Sequence, residues 1–208
     1  MTDSTIRRRM ATDAAGVLAD EFSRHRNRLW RMVDFRLDPA LAGRVDPDDV
    51  LQEAWLAAAQ RAEHFLKNES LGLFLWLRLV VEQTLVDVHR RHLGAQMRDA
   101  YREQSMHNPS LSRTTCVSLV ARLLGTCTSP SRAAVREEEA RQLREAIDGM
   151  DEIDREVLAM RHFEELTNAE VAQALGIQET AASNRYVRAI RRLKAILDTL
   201  PGFSESMR

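Results

Sequence analysis

The stretch from Leu166 to Leu197, LTNAEVAQALGIQETAASNRYVRAIRRLKAIL, constrains the fold most, because it specifies two helices and the tight turn between them. Thr167 and Glu170 have capping-box spacing, which satisfies two orphaned amides at a helix start. Val171, Ala172 and Leu175 give the short helix that follows an apolar stripe. Gly176 can then adopt the left-handed conformation that ends a helix, and Ile177 is placed to pack beneath the turn. From Gln178 the helical period resumes, with Ala182, Tyr186, Ala189, Ile190, Leu193 and Leu197 on one side. Thr180, Asn184, Arg188 and Arg191 fall on the other side, with Ser183 beside them and Arg185 and Arg192 flanking. Because Asn184 and Arg188 point away from the apolar stripe, replacing either is expected to cost little stability. A helix offering amide and guanidinium groups to solvent suits the DNA major groove, where Asn reads adenine and Arg reads guanine. Arg191, Arg192 and Lys194 alone would describe an ordinary solvated face equally well; cap, turn and polar face together favour DNA.

The rest of the chain reads as helix too. Glycine and proline number only 8 and 5 in 208 residues, and no segment alternates in the manner of a strand. The apolar period predicts helices over 14–37, 47–65, 72–92, 135–148, 151–162, 168–175 and 179–198. Asp46 is placed as an N-cap, with Pro47 at the first helical position and Asp49 at the third. The 72–92 helix carries a core stripe of Leu73, Leu77, Val80, Val81, Thr84, Leu85 and Val88. Residues 105–133 are rich in Ser, Thr, Asn, Pro and Gly, which suits a tether better than a loop inside a compact domain. Within it, Val117 to Leu124 could form a short helix. The expected architecture is all-α: two small helical domains, 14–92 and 135–198, joined by a flexible linker over 93–134.

Composition narrows the function classes. No run approaches the roughly 18 uncharged apolar residues of a membrane span, since Arg78 interrupts the richest stretch, Leu71 to Val81. The N-terminus has no apolar segment after its basic residues, so a secretory signal is not expected and the chain reads as cytoplasmic. Cys116 and Cys127 then read as free thiols, with a redox pair as the alternative. The net charge of −1 is segregated. Residues 134–170 carry twelve acidic and five basic side chains, whereas 177–197 carry five basic and one acidic. A basic helix beside an acidic scaffold weakens general attraction to phosphates, so a partner is expected to assist DNA binding.

No catalytic, cofactor or metal constellation emerges. His89 and His92 lie three apart on one helix, but the two cysteines that could complete a zinc site are eleven residues apart in the tether. The histidines group with Arg90 and Arg91 as a polar, partly cationic helix end. Asp46, Asp48, Asp49 and Glu53 cluster at a helix start beside Gln52. Interaction with the helix dipole accounts for Asp46 and Asp49, leaving Asp48, Gln52 and Glu53 as an exposed face for a basic partner. Phe74 and Trp76 near the start of the 72–92 helix allow two readings, core residues or a platform for unstacked bases.

Together these residues resemble an extracytoplasmic-function sigma factor of the sigma-70 family. VDPDDVLQEAWLAAAQRAEHF resembles region 2.2, and FLKNESLGLFLWLRLVVEQTLVDVHRR resembles regions 2.3 and 2.4. LREAIDGMDEIDREVLAMRHFEELTNAEVAQALGIQETAASNRYVRAIRRLKAIL resembles region 4. The chain departs from the family at Ala182-Ser183, usually a larger aliphatic and a basic residue, and at Gln83-Thr84-Leu85. The resemblance implies a promoter-specificity subunit that catalyses nothing itself. It implies that Asp48, Asp49, Gln52 and Glu53 dock core RNA polymerase at the β′ clamp, with the β flap also contacted. Lys67, Asn68, Glu69, Ser70, Trp76, Arg78, Arg90 and Arg91 would capture the melted minus-ten strand. Thr180, Ser183, Asn184, Arg185, Arg188 and Arg191 would read the minus-35 duplex. An anti-sigma factor is an expected further partner. The alternatives are a helix-turn-helix regulator acting without polymerase, and a decoy that binds core polymerase or an anti-sigma factor.

Overall fold

The computed structural model describes residues 3–38, 41, 43–67, 71–93, 142, 145–147 and 149–198. The expected linker with Cys116, Cys127 and the 117–124 helix, and most of the 135–148 helix, lie outside them. Contacts divide the chain into two units, 1–98 and 99–208. Among the described residues all regular structure is helical, as the low glycine and proline content and the 3.6-residue period predict.

The first unit contains α1 (Asp3–Met10), α2 (Ala14–Arg36), α3 (Pro47–Gln60), α4 (Ala62–Lys67) and α5 (Leu73–Leu93). Helix α1 precedes the first helix expected from the sequence. Its Ile6 and Met10, spaced four apart, are buried in the core beside α2. Asp13 caps α2 by accepting from the Gly16 amide at 2.8 Å. A Cβ on Gly16 would sit 2.2 Å from that carboxylate, so any larger residue there would push the capping side chain aside.

Helices α2, α3 and α5 pack around one apolar core. Leu18, Leu29 and Val33 from α2 meet Val50, Leu51, Ala54 and Ala58 from α3 and Leu73, Leu77, Val81 and Leu85 from α5. Burying each large aliphatic side chain is worth about 1.5–3 kcal/mol before ordering costs. Ala54 and Ala58 are fully buried, and their small size lets α3 lie close to its neighbours.

The helix expected over 47–65 is in fact two. Arg61 leaves helical geometry at φ −107° and ψ 11°, and its amide bonds the Ala58 carbonyl three residues back. This tightened turn re-aims the chain so that Ala62 and Phe65 enter the core, while Arg61 reaches Gln83 at 2.8 Å. No glycine or proline marks the break, so the apolar period runs straight through it. From α1, Arg7 donates to the carbonyls of Phe65 and Leu71, each at 2.7 Å, with its guanidinium 4.1 Å from the Phe65 ring centroid.

The second unit contains α6 (Glu152–His162), α7 (Asn168–Leu175) and α8 (Glu179–Asp198). Asp151 caps α6 through the Ile153 amide at 3.0 Å. Arg155 ties the preceding segment to α6 by donating to the Ile147 and Met150 carbonyls, both at 3.1 Å. The capping box of α7 forms as expected: the Thr167 hydroxyl accepts from the Glu170 amide, and the Glu170 carboxylate accepts from the Thr167 amide. Gly176 takes φ 64° and ψ 31°, turning the chain into α8. Fully buried Ala182 and Ala189 seat α8, and Val157, Leu158, Val171 and Ala172 form the core beneath it.

Candidate nucleic-acid interface

The outward face of α8 is polar. Thr180, Ser183, Asn184, Arg188 and Arg191 are exposed, and Tyr186, Ile190, Leu193 and Leu197 are half-buried on the inner side. The flank nearest α6 is held by ion pairs. Asp154, 3% exposed, accepts from Nε and Nη2 of Arg188, both at 2.6 Å, and from Nη1 of Arg185 at 2.9 Å. Arg185 also reaches Asp151 at 3.2 Å, and Arg192 donates to the Gly149 carbonyl. Arg185 and Arg188 therefore lie on the predicted helix but serve partly as its attachment to α6. This tie modifies the expectation that Arg188 contributes little to stability.

The Asp154 carboxyl titrates below the ordinary carboxylate range. Burial alone would push it up, but hydrogen bonds and charges from Arg188 and Arg185 more than offset that. The same contacts raise Arg188 above its usual value. The charge segregation seen in the sequence becomes, in three dimensions, a local clamp between the acidic start of α6 and the basic α8.

The acidic face of α3 is also partly engaged. Asp46 caps the helix through the Asp48 amide at 2.8 Å, while the Asp48 side chain accepts from Arg26 at 2.7 Å. Glu53 pairs with Arg91 of α5. Asp49 and Gln52 lie on the same face as Leu56, which is 61% exposed. Two grooves adjoin Leu56, of about 500 Å³ beside Phe22 and Trp55 and about 460 Å³ beside Arg44, Val88 and His92. Leu56 was not singled out from sequence, although it follows Asp49, Gln52 and Glu53 at helical spacing.

The residues assigned to single-stranded DNA do not converge. Trp76 is 7% exposed and packs on Phe65 with ring centroids 5.3 Å apart, so of its two readings the structure shows the core one. Arg78 is 5% exposed and donates to Glu82 at 3.1 Å. The wide apolar surface of α5 buries both, leaving neither as a solvent-facing platform. Phe74 is half-buried under Arg28, whose guanidinium lies 3.8 Å from its centroid. Lys67 is exposed near Glu63, and Asn68, Glu69 and Ser70 lie outside the described residues. Arg90 and Arg91 sit at the other end of α5, about 21 Å from Trp76 at 1.5 Å rise per residue. Arg91 belongs instead with Glu53 and the α3 face.

One histidine differs from its sequence reading. His92 is exposed, but His89 is fully buried, with Nε2 accepting from the Asp38 amide at 3.3 Å and Nδ1 unpartnered. Desolvation lowers its pKa, against a smaller upward pull from Asp38, so it is neutral rather than part of a cationic helix end. Among the described residues no group of side chains could hold a metal ion, and no helix is long and apolar enough to cross a membrane.

Comparisons with known proteins agree with this architecture. Residues 140–193, spanning α6, α7 and most of α8, match the family model described as sigma-70, region 4. No curated protein matches the chain. Among solved structures the fold is similar to CnrH, in the structure of CnrH in complex with the cytosolic domain of CnrY. That match has a TM-score of 0.52 at 20% identity, and covers 94% of this chain and 97% of that one. Residues 140–193 therefore carry a sigma-70 region 4 module built on the capped turn leading into α8, and the chain shares its all-α fold with CnrH.

Proposed function

We propose that this chain is an extracytoplasmic-function sigma factor of the sigma-70 family, and that it directs RNA polymerase to a dedicated set of promoters by three separate contacts. The α3 face, with Asp48, Asp49, Gln52 and Glu53 around exposed Leu56, docks the β′ clamp of core polymerase. Helix α8 reads the minus-35 duplex through Thr180, Ser183, Asn184 and Arg191, with Arg185 and Arg188 shared between DNA and the Asp154 clamp. The segment 67–70 captures the melted minus-ten strand, Trp76 and Arg78 act there through the core of the first unit rather than by direct stacking, and Arg90 and Arg91 supply positive charge farther along α5. Base capture costs a few kcal/mol of unstacking, offset by stacking and polar contacts. The first domain runs over the expected 14–92 together with α1, whose Ile6 and Met10 fill its core. The second runs over 135–198 beyond a linker, and also touches the β flap. The protein acts in the cytoplasm at the nucleoid, and polymerase supplies all the chemistry.

The region 4 match lying on a capped helix, a left-handed Gly176 and a polar outward helix is the observation that carries this reading. The clamp supports its dependence on core polymerase, because Asp151 and Asp154 neutralise charge that would otherwise attract phosphates. The complex formed by CnrH supports an anti-sigma partner for this chain as well. Run-off transcription with core polymerase on a genomic library, beside mobility shifts with and without core, tests the proposal. Initiation at discrete promoters, with weak duplex binding by the free chain, is the expected result. Tight sequence-specific binding by a free dimer would instead indicate an operator-binding regulator, and core binding without initiation a decoy.

A further inference from the structure

Val187 sits at the centre of the outward face of α8. At 100° per residue it falls between Ser183 and Thr180, within about 40° of Arg191, and one turn from Ser183 and Asn184 along the helix. It is 43% exposed, and among the described residues only Leu56 and Leu79 are other large apolar side chains so open to solvent. A lone exposed valine elsewhere would need no explanation. Here it is framed by hydroxyl, amide and guanidinium groups, on the face left open once Arg185, Arg188 and Arg192 engage the start of α6. Valine is also a poorer helix former than alanine, so local helix stability does not favour it.

The edges of base pairs in the major groove are polar with one exception, the C5-methyl of thymine. We propose that Val187 is a specificity-determining residue that packs on a thymine methyl in the minus-35 duplex. This rests on the reading of α8 as the duplex reader. Three residues, about 4.5 Å of helix, separate Val187 from Asn184. The thymine therefore lies within one or two base-pair steps of the pair that Asn184 contacts. Loss of the contact releases one methyl-sized apolar burial, about fourfold in affinity.

The test uses the reconstituted holoenzyme of core polymerase and full-length protein. Minus-35 duplexes are selected from a randomised pool, and each thymine is then replaced singly by deoxyuridine, which removes only the methyl. One thymine should lower binding by native holoenzyme about fourfold when replaced, and Val187→Ala holoenzyme should not respond at that position. Circular dichroism should show the variant as helical as the native chain. Equal responses of both proteins at every thymine, or a selected element without thymine, overturn the proposal. Asn184→Ala and Arg191→Ala identify the source of such a failure. If these weaken minus-35 preference, the thymine contact alone is wrong; if they leave it unchanged, α8 does not read the duplex and both inferences fall.

Discussion

Asp154→Asn is the most direct probe of how α8 is held. The carboxylate is 3% exposed and accepts hydrogen bonds from Arg188 Nε and Nη2 at 2.6 Å each and from Arg185 Nη1 at 2.9 Å. Asparagine keeps the shape and one acceptor oxygen but removes the charge. A hydrogen bond to a charged group contributes about 1.5–3 kcal/mol and a neutral one about 1 kcal/mol. Breaking a fully buried ion pair costs about 3–5 kcal/mol, but these arginines are 27% and 58% exposed and recover water. Arg185 also retains Asp151 at 3.2 Å. The expected loss is about 1–2 kcal/mol, or roughly 5–15 °C for a domain this small. All three tryptophans, Trp30, Trp55 and Trp76, lie in the first unit, so fluorescence reports that unit while far-UV circular dichroism reports both. The substitution should shift the dichroism transition and leave the fluorescence transition in place. Because the folded carboxyl titrates below its ordinary value, its stabilisation is complete above the usual carboxylate range and disappears as pH falls through the lowered value. Native and Asp154→Asn proteins should therefore converge in strong acid. A shift below about 1 °C near neutral pH would refute the clamp as a stabilising element.

The acid response of the first unit should come from His89. Its lowered pKa means that the unfolded chain takes up a proton the folded one refuses, so stability falls as pH drops below the ordinary value of 6.5. His89→Leu should flatten the urea midpoint, followed by tryptophan fluorescence, between about pH 7 and pH 5. Trp76→Ala should cost about 3–5 kcal/mol of stability in the first unit through the cavity it leaves, so any opening defect will accompany a lowered urea midpoint. Gly176→Ala should destabilise the second unit by about 1–2 kcal/mol in thermal melts; a Cβ there meets nothing within 4 Å, so the cost is torsional at φ 64°. Asp49→Lys with Glu53→Lys should weaken pull-down by core polymerase while preserving the dichroism spectrum, and unchanged core binding would remove this face from the interface.

Local physics made much of this protein legible in its sequence. The α7 capping box, the Gly176 turn and the Asp46 cap of α3 are interactions between residues two to four apart, so motif spacing finds them without knowledge of the fold. The α5 core stripe likewise follows from helical period alone. Tertiary structure decided everything that depends on what lies across from a residue. Arg61 breaks its helix for the sake of Phe65 and Gln83, and α1 exists because Ile6 and Met10 find a core to fill. The period of α5 left Trp76 with two readings, and the family resemblance assigned Arg78 to the melted strand; contacts from the rest of the first unit buried both. Arg185 and Arg188 carry the outward phase of α8, but Asp151 and Asp154, more than 30 residues earlier, determine what those charges face. Sequence period sets the direction of a side chain on its own helix, whereas burial and charge are properties of the neighbours that long-range packing brings to it.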